Sequence, residues 1–310
     1  MASNITKEIP HLIVMAVLVV VLLVVLTKFQ WIHCSAIPGW CNIYCNQIIR
    51  SNTQAALIYG DSGIGDPEAM ENMVRRVRPN IVLAPVPLQD LSSGLLKRFD
   101  LVILTHARDI SSRQSTVLFD FLNRGGSLIM VGDSATRHHY DPYDLLIAQR
   151  NNQSFYDRLE RELMARNLTW NSSYANMSIN QWKKTDEYDL LVNQSLVRAG
   201  FRKLTSVVAA AYNRTVNRRG YFVNLSVANY DHLIMRGLSH DFETQAREYA
   251  IVHPDPASTD ILAFIEDGKE RYPGIIETRF SGRVIYFAYP PEFTGSPTLF
   301  QNVWDYLTPC

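Results

Sequence analysis

No residue between Ile9 and Thr27 carries a formal charge, and Leu12 to Leu26 is wholly apolar. A run of that kind admits few environments. As an α-helix it spans about 28 Å at about 1.5 Å per residue, close to the hydrocarbon thickness of a bilayer. Lys28 can snorkel at one end, and Trp31 stands where an interfacial aromatic belongs. A cleaved signal peptide is the main competing reading, but its apolar stretch is normally shorter and no A-x-A site follows. His33-Cys34 lacks the small residue that precedes a lipidated cysteine. The sequence therefore predicts an uncleaved signal-anchor in the cell membrane. Residues 1–8 are read as a cytoplasmic tail, 9–28 as a single-pass transmembrane anchor, 29–53 as a Cys-containing neck, and 54–310 as an α/β ectodomain.

Lys7 and Glu8 on one side and Lys28 on the other leave the positive-inside count level. The sequons decide the orientation. Of the eleven asparagines between Asn151 and Asn229, seven begin N-x-S/T: Asn152, Asn167, Asn171, Asn176, Asn193, Asn213 and Asn224. Chance predicts about one or two. They mark the C-terminal domain as extracytoplasmic and glycosylated, with the lipid bilayer and N-linked glycans as its first partners. Asn4 is a lone match across the anchor and is read as unmodified.

The chain has four cysteines. Cys34, Cys41 and Cys45 crowd the neck and Cys310 ends the sequence, so an oxidising compartment implies two disulfides with three possible pairings. A zinc site is disfavoured, since C-x6-C-x3-C is a poor spacing and no histidine pair lies near. Lys plus Arg and Asp plus Glu each number 30, giving a net charge of zero, and the basic residues form no long run. Nucleic-acid binding is excluded on that ground.

Beyond the neck, strand and helix patterns alternate. Ala55–Tyr59 is an apolar run that ends in Gly60-Asp61-Ser62-Gly63-Ile64-Gly65. Asp66-Pro67-Glu68 then reads as an N-cap, a proline at the first helical position and an acid in the first turn. Met70, Met73, Val74 and Val77 give the helix one apolar face. Ile81–Val86 is a second strand, with a short helix around Leu91–Arg98 after it. Leu101–Leu104 is a third strand, ending at Thr105-His106. Ser111–Asn123 is a helix that presents Val117, Leu118, Phe121 and Leu122 inward, stopped by Gly125-Gly126. Leu128–Val131 is a fourth strand, ending at Gly132-Asp133-Ser134.

A long helix is expected over Tyr143–Trp170, and an Asn-rich glycosylated elaboration over about 150–230. The pattern then closes with a strand at Asp260–Ile265, a hairpin of Ile275–Phe280 and Arg283–Tyr289 across Ser281-Gly282, and a helix at Pro297–Leu307. The fold class that follows is α/β: a doubly wound, mostly parallel, flavodoxin-like sheet with a C-terminal β-hairpin. Its functional edge lies where the strands end, at Asp61, His106 and Asp133, with Tyr289 and Glu292 on the lip beyond the last strand.

Two stretches carry a resemblance. Phe99-Asp100-Leu101-Val102-Ile103-Leu104, through the helix to Gly125-Gly126-Ser127-Leu128-Ile129, resembles the class I glutamine amidotransferase-like superfamily. Asp260-Ile261-Leu262-Ala263 and Gly282-Arg283-Val284-Ile285-Tyr286-Phe287 resemble the closing hairpin of its non-catalytic and trehalose-utilisation-type relatives. Together they cover most of residues 55–135 and 255–307. Glutaminases of that family place a nucleophilic Cys at a strained elbow after the strand that here ends at Val131. This chain has Gly132-Asp133-Ser134-Ala135 there, so the family's thiolate chemistry is absent. His253-Pro254-Asp255 precedes Ile261–Phe264 and does not match the family's late His-x-Glu pair.

Other chemistries compete at the same edge. Ser134, with Asp133 and His138 or His139, has the residue types of a hydrolase triad, but G-D-S-A lacks the elbow's second glycine. Asp61, His106, Asp133 and His138 or His139 have the ligand types of a metal site, though strand-end aspartates commonly cap helices. Gly60–Gly65 is no phosphate loop, because Asp61, Asp66 and Glu68 would repel an anion and there is no lysine. No cofactor is expected. The leading expectation is a membrane-anchored amidotransferase-like domain acting as a binding or structural module that engages cell-envelope proteins or glycans. A membrane-tethered hydrolase using Ser134 or a metal, and an accessory subunit of a larger membrane complex, are the alternatives.

Overall fold

The computed structural model describes residues 5–28, 37, 40–43, 53–79, 81–139, 207–218, 221–279 and 282–308. The expected helix Tyr143–Trp170 lies outside them, as do Asn152, Asn167, Asn171, Asn176 and Asn193, Cys34, Cys45, Cys310 and the hairpin tip at 280–281. The side chains of Cys41 and His139 lie outside them too.

The backbone is helical over Ile5–Lys28 (α1). Its side chains are described from Val14 to Thr27, a stretch of about 21 Å. Among the described residues, no helix is long and apolar enough to cross a membrane. A single turn, Trp40–Ile43 (α2), folds back on the helix end, where the Trp40 indole N–H donates to Thr27 Oγ1 at 2.9 Å.

The domain is built on one nine-stranded sheet. In chain order its first half holds β1 (Gln54–Ser62), α3 (Pro67–Val77), β2 (Val82–Pro87), α4 (Ser93–Leu96), β3 (Leu101–Ala107), β4 (Asp109–Ser111), α5 (Ser112–Asn123), β5 (Ser127–Val131) and β6 (Arg137–His139). Then follow β7 (Ala210–Asn217), β8 (Asn224–Val227), β9 (Asp241–Glu243), β10 (Glu248–Pro254), β11 (Thr259–Asp267), β12 (Glu270–Arg279), β13 (Arg283–Phe287) and α6 (Pro297–Leu307). The sheet order is β2-β1-β3-β5-β13-β12-β11-β8-β9.

The first five strands in that order are parallel, with β13 completing the flavodoxin-like half. The crossover β1-α3-β2 steps one way along the sheet, whereas β2-α4-β3 and β3-α5-β5 step the other way. Right-handed crossovers therefore put α3 on one face and α4 and α5 on the other, which is the doubly wound arrangement. The remaining four strands are antiparallel, so the expectation of a mostly parallel sheet is corrected to a mixed one. The hairpin read from the sequence, β12 with β13, is the seam where the direction changes.

Local chemistry explains the element limits. Asp66 caps α3, accepting from the amides of Glu68 and Ala69, with Pro67 next to it. Ser111 and Gln114 form a reciprocal capping box on α5. The central strands β3 and β5 are continuous buried apolar runs, as strands covered on both faces must be. Strand β2 is only partly buried and carries Pro85 and Pro87, which suits a sheet edge. Pro273 sits inside β12 opposite Phe264, where the ladder shifts register.

The pair β7–β10 forms a separate antiparallel sheet, and β4–β6 a short parallel one. The first is tied to the main body by Ala250 N–H to the Ala288 carbonyl at 2.6 Å.

Candidate functional site

The carboxyl ends of β1, β3 and β5 meet at the point where the crossovers diverge, the usual ligand edge of an open α/β sheet. Asp133 is the hub of that edge. It is fully buried. Its Oδ1 accepts from the Ile64 amide at 2.7 Å, and its Oδ2 from Arg108 Nε at 2.5 Å and Thr215 Oγ1 at 3.2 Å. Arg108 Nη2 lies 2.5 Å from the same oxygen. One carboxylate thus binds the loop after β1, the residue after β3 and strand β7 together. Its contacts are all with the protein's own amide, guanidinium and hydroxyl donors.

The elbow after β5 turns through a left-handed glycine and is tightly packed. Gly132 sits at φ +59, and its carbonyl accepts from the Tyr286 hydroxyl at 2.7 Å. Burial, with the Asp133 charge behind it, pushes that phenol up. A Cβ built on Gly132 would lie 2.5 Å from Ile64 Cβ and 2.9 Å from its Cγ2. The volume a side chain at position 132 would need is filled by isoleucine.

Ser134 is buried, and its hydroxyl donates to the Leu104 carbonyl at 3.5 Å, the long limit of a hydrogen bond. His138 is buried elsewhere, hydrogen-bonded through Nε2 to Ser115 Oγ at 3.1 Å. The structure therefore does not bring Ser134, Asp133 and His138 into a triad. Among the described residues, no group of three or more His, Cys, Asp or Glu could hold a metal ion. His253 stands on β10 beside Asn213, at 3.4 Å, far in topology from the elbow.

The five residues expected on the binding edge part company. Asp61 is exposed. Asp133 and Tyr289 are buried, so Tyr289 belongs to the core and not to a lip. Burial pushes its phenol up, and it receives a hydrogen bond from Thr294 at 3.4 Å.

His106 and Glu292 come together around Gly65. A Cβ on Gly65, which has φ +107, would lie 2.3 Å from Thr105 Oγ1, 3.2 Å from Glu292 Oε1 and 3.7 Å from the His106 amide nitrogen. Only glycine permits that approach. His106 is itself left-handed at φ +49, a costly state for a residue with a Cβ and one that clusters at functional edges.

Glu292 occupies an unusual position. Its Oε1 accepts from the Asp66 amide at 2.6 Å. That bond is the return half of a capping box, normally made by a residue one turn into the helix. Here Ala69 stands at that position, and Glu292 supplies the bond from the far end of the chain. Among the described residues, Glu292 Oε2, Thr105 Oγ1 and His106 Nδ1 are buried without a hydrogen-bond partner. Burial pushes the Glu292 carboxyl up to about 7, against the pull of the Asp66 and Glu292 amides, and the Asp66 carboxylate adds to the rise. Sequence reasoning misses Thr105, Arg108 and Ile64 as parts of this edge. The only local signal was their place at strand ends.

Solved structures share this fold. A protein described as ThuA-like from Bacteroides uniformis superposes with a TM-score of 0.53 at 12% identity, covering 84% of this chain and 94% of that one. The cold-adapted beta-galactosidase from Rahnella sp. R3 gives a TM-score of 0.50 at 11% identity, over 82% of this chain but 31% of that one. No protein-family model and no curated sequence matches the chain. At these identities the likeness is one of fold: the domain has the glutamine amidotransferase-like fold.

Proposed function

We propose that this chain is a single-pass membrane protein whose amidotransferase-like domain stands outside the cytoplasm and binds envelope proteins or glycans without turning over a substrate. The observation that carries the binding reading is the elbow. Ser134 stands at the nucleophile's place and is buried with its hydroxyl on the Leu104 carbonyl, Ile64 packs against Gly132, and Asp133 between them is held by Arg108. The hydrolase alternative loses one of its two candidate bases, since His138 bonds to Ser115.

Two observations support the membrane placement. In the described part of α1, Val14, Met15, Val17, Leu18, Val19, Val20, Val21, Leu22 and Val25 are all exposed. A helix apolar on every side has no stable place in water, and the backbone of α1 is about 36 Å long. Asn213 and Asn224, the sequons within the described residues, are both exposed and can carry a glycan without unfolding their strands.

Endoglycosidase treatment of the protein from a glycosylating host is expected to lower its apparent mass by several chains. Protease added to intact cells is expected to remove the domain. A mass that stays put, with mass spectrometry finding no glycan, or a domain shielded from protease, defeats the placement. Ser134→Ala is expected to leave binding unchanged and stability within about 1 kcal/mol, because it removes one long hydrogen bond to a carbonyl that stays in its strand. A large loss of any native activity in that variant overturns the non-catalytic reading.

A further inference from the structure

Of the two sequons within the described residues, Asn224 differs from Asn213 in what stands beside it. The chain enters β8 through Phe222 and Val223, and Val223 is pinned on both sides. Its amide donates to the Ala246 carbonyl at 2.9 Å, and its carbonyl accepts from the Thr244 amide at 3.0 Å. Burial alternates along this stretch: Val223 and Leu225 are fully buried, whereas Phe222 and Asn224 are exposed. Side chains two apart on an extended chain share a face, so Phe222 and Asn224 stand side by side, their Cα atoms about 7 Å apart. Directly across the ladder from Asn224 is Glu243, also exposed, so the face is open above the asparagine. At Asn213 the residue two positions earlier is Ala211, and the asparagine amide is engaged with His253 at 3.4 Å.

Phe222 is held and yet uncovered. The Arg247 guanidinium lies 5.6 Å from the ring centroid, and the side chain is still 47% exposed. The face of a phenyl ring is negative and attracts positively polarised groups, as it does the guanidinium. The C–H bonds along one side of a pyranose are weaker groups of the same kind, and they are apolar enough to cover the ring. Such a contact is too weak to capture a sugar from solution. A sugar linked two residues away is already at high effective concentration, and most of the cost of association is gone.

We propose that the first sugar of a glycan on Asn224 lies on the Phe222 ring, which makes this glycan a packed part of the domain and leaves the one on Asn213 in solvent. The third residue of the sequon fits that order of events. Ser226 is buried, with its hydroxyl donating to Glu266 and receiving from Arg271 at 2.9 Å. A transferase that reads this hydroxyl reaches it only while β8 is unpaired, so the sugar is present when the strand forms and the ring settles.

The contact rests on the extracytoplasmic reading for its sugar, and glycopeptide mass spectrometry, site by site, separates the two. Full-length protein from a glycosylating host, in nanodiscs, is melted as the wild type, Phe222→Ala, Asn224→Gln and the double variant. Both side chains are exposed, so neither change threatens folding. Phe222→Ala is expected to cost about 2–4 °C more when Asn224 carries its glycan than in the Asn224→Gln background, where only the Arg247 contact is lost. The same cycle with Asn213→Gln in place of Asn224→Gln is expected to be additive. Equal losses from Phe222→Ala with and without the Asn224 glycan overturn the contact, as does coupling to Asn213 of the same size. An Asn224 peptide without sugar, beside other sequon peptides that carry theirs, overturns the contact and leaves the placement standing. Sugar at no sequon defeats both.

Discussion

Arg108→Ala is expected to destabilise the domain by about 3–5 kcal/mol, the cost of stranding one member of a buried ion pair. The asymmetry of exposure sets which partner matters more. Arg108 is 37% exposed through its side chain and Asp133 is not exposed at all. Removing Asp133 lets the guanidinium swing into water. Removing Arg108 leaves a buried carboxylate facing only the Ile64 amide, the Thr215 hydroxyl and the water that enters the vacated space.

Arg108→Ala is therefore expected to be the worse of the two single changes. Asp133→Asn placed on top of it is expected to restore part of the loss, since an amide keeps an acceptor for Ile64 and carries no charge. Thermal melts of the four proteins, as a double-mutant cycle, measure this. A domain of this size moves about 2–4 °C per kcal/mol, so the single change corresponds to roughly 6–20 °C. An Arg108→Ala protein that melts with the wild type, or one that Asp133→Asn makes still worse, would show that Asp133 is not the hub.

The pair also shows what the sequence could and could not reveal. Asp133 is legible because a strand-length apolar run, Leu128–Val131, ends beside it, and strand ends are where such folds keep polar groups. Its partners are not legible. Arg108 lies 25 positions away and Ile64 lies 69 away. Only the closed parallel sheet brings the ends of β1, β3 and β5 together.

The same reason governs the fold. The strands β1, β3 and β5 announce themselves through uninterrupted apolar runs, and α3 and α5 through caps and a helical stripe. Strand β7, Ala210–Asn217, is half exposed and mixes Arg214 and Thr215 with apolar residues, so its extended state depends on pairing with β10 about forty residues on. The short β8 and β9 exist only as additions to the antiparallel edge of β11. Local pattern could not separate them from loop. Glu292 was visible as a carboxylate beyond the last strand, while its bond to Asp66 spans 226 positions and had no local signature at all.

Adding a side chain to the elbow at Gly132 is expected to cost stability. Gly132→Cys places a Cβ 2.5 Å from Ile64 Cβ, where no side chain can sit, at a left-handed φ of +59 that costs a non-glycine residue about 1–2 kcal/mol. Overpacking adds about 1–3 kcal/mol, so the total is about 2–5 kcal/mol. The offending atom is the Cβ, which alanine shares. Gly132→Ala is therefore expected to lose most of what Gly132→Cys loses.

Nor does trimming Ile64 cure the clash, because Ile64→Ala keeps the Cβ that collides. Relief needs the Gly60–Gly65 loop to move, and that movement breaks the Ile64 amide bond to Asp133 at 2.7 Å. The elbow, the loop and the buried carboxylate are one packed unit. A Gly132→Ala protein as stable as the wild type would mean that the elbow has room after all, and that Ile64 does not lock the loop against it.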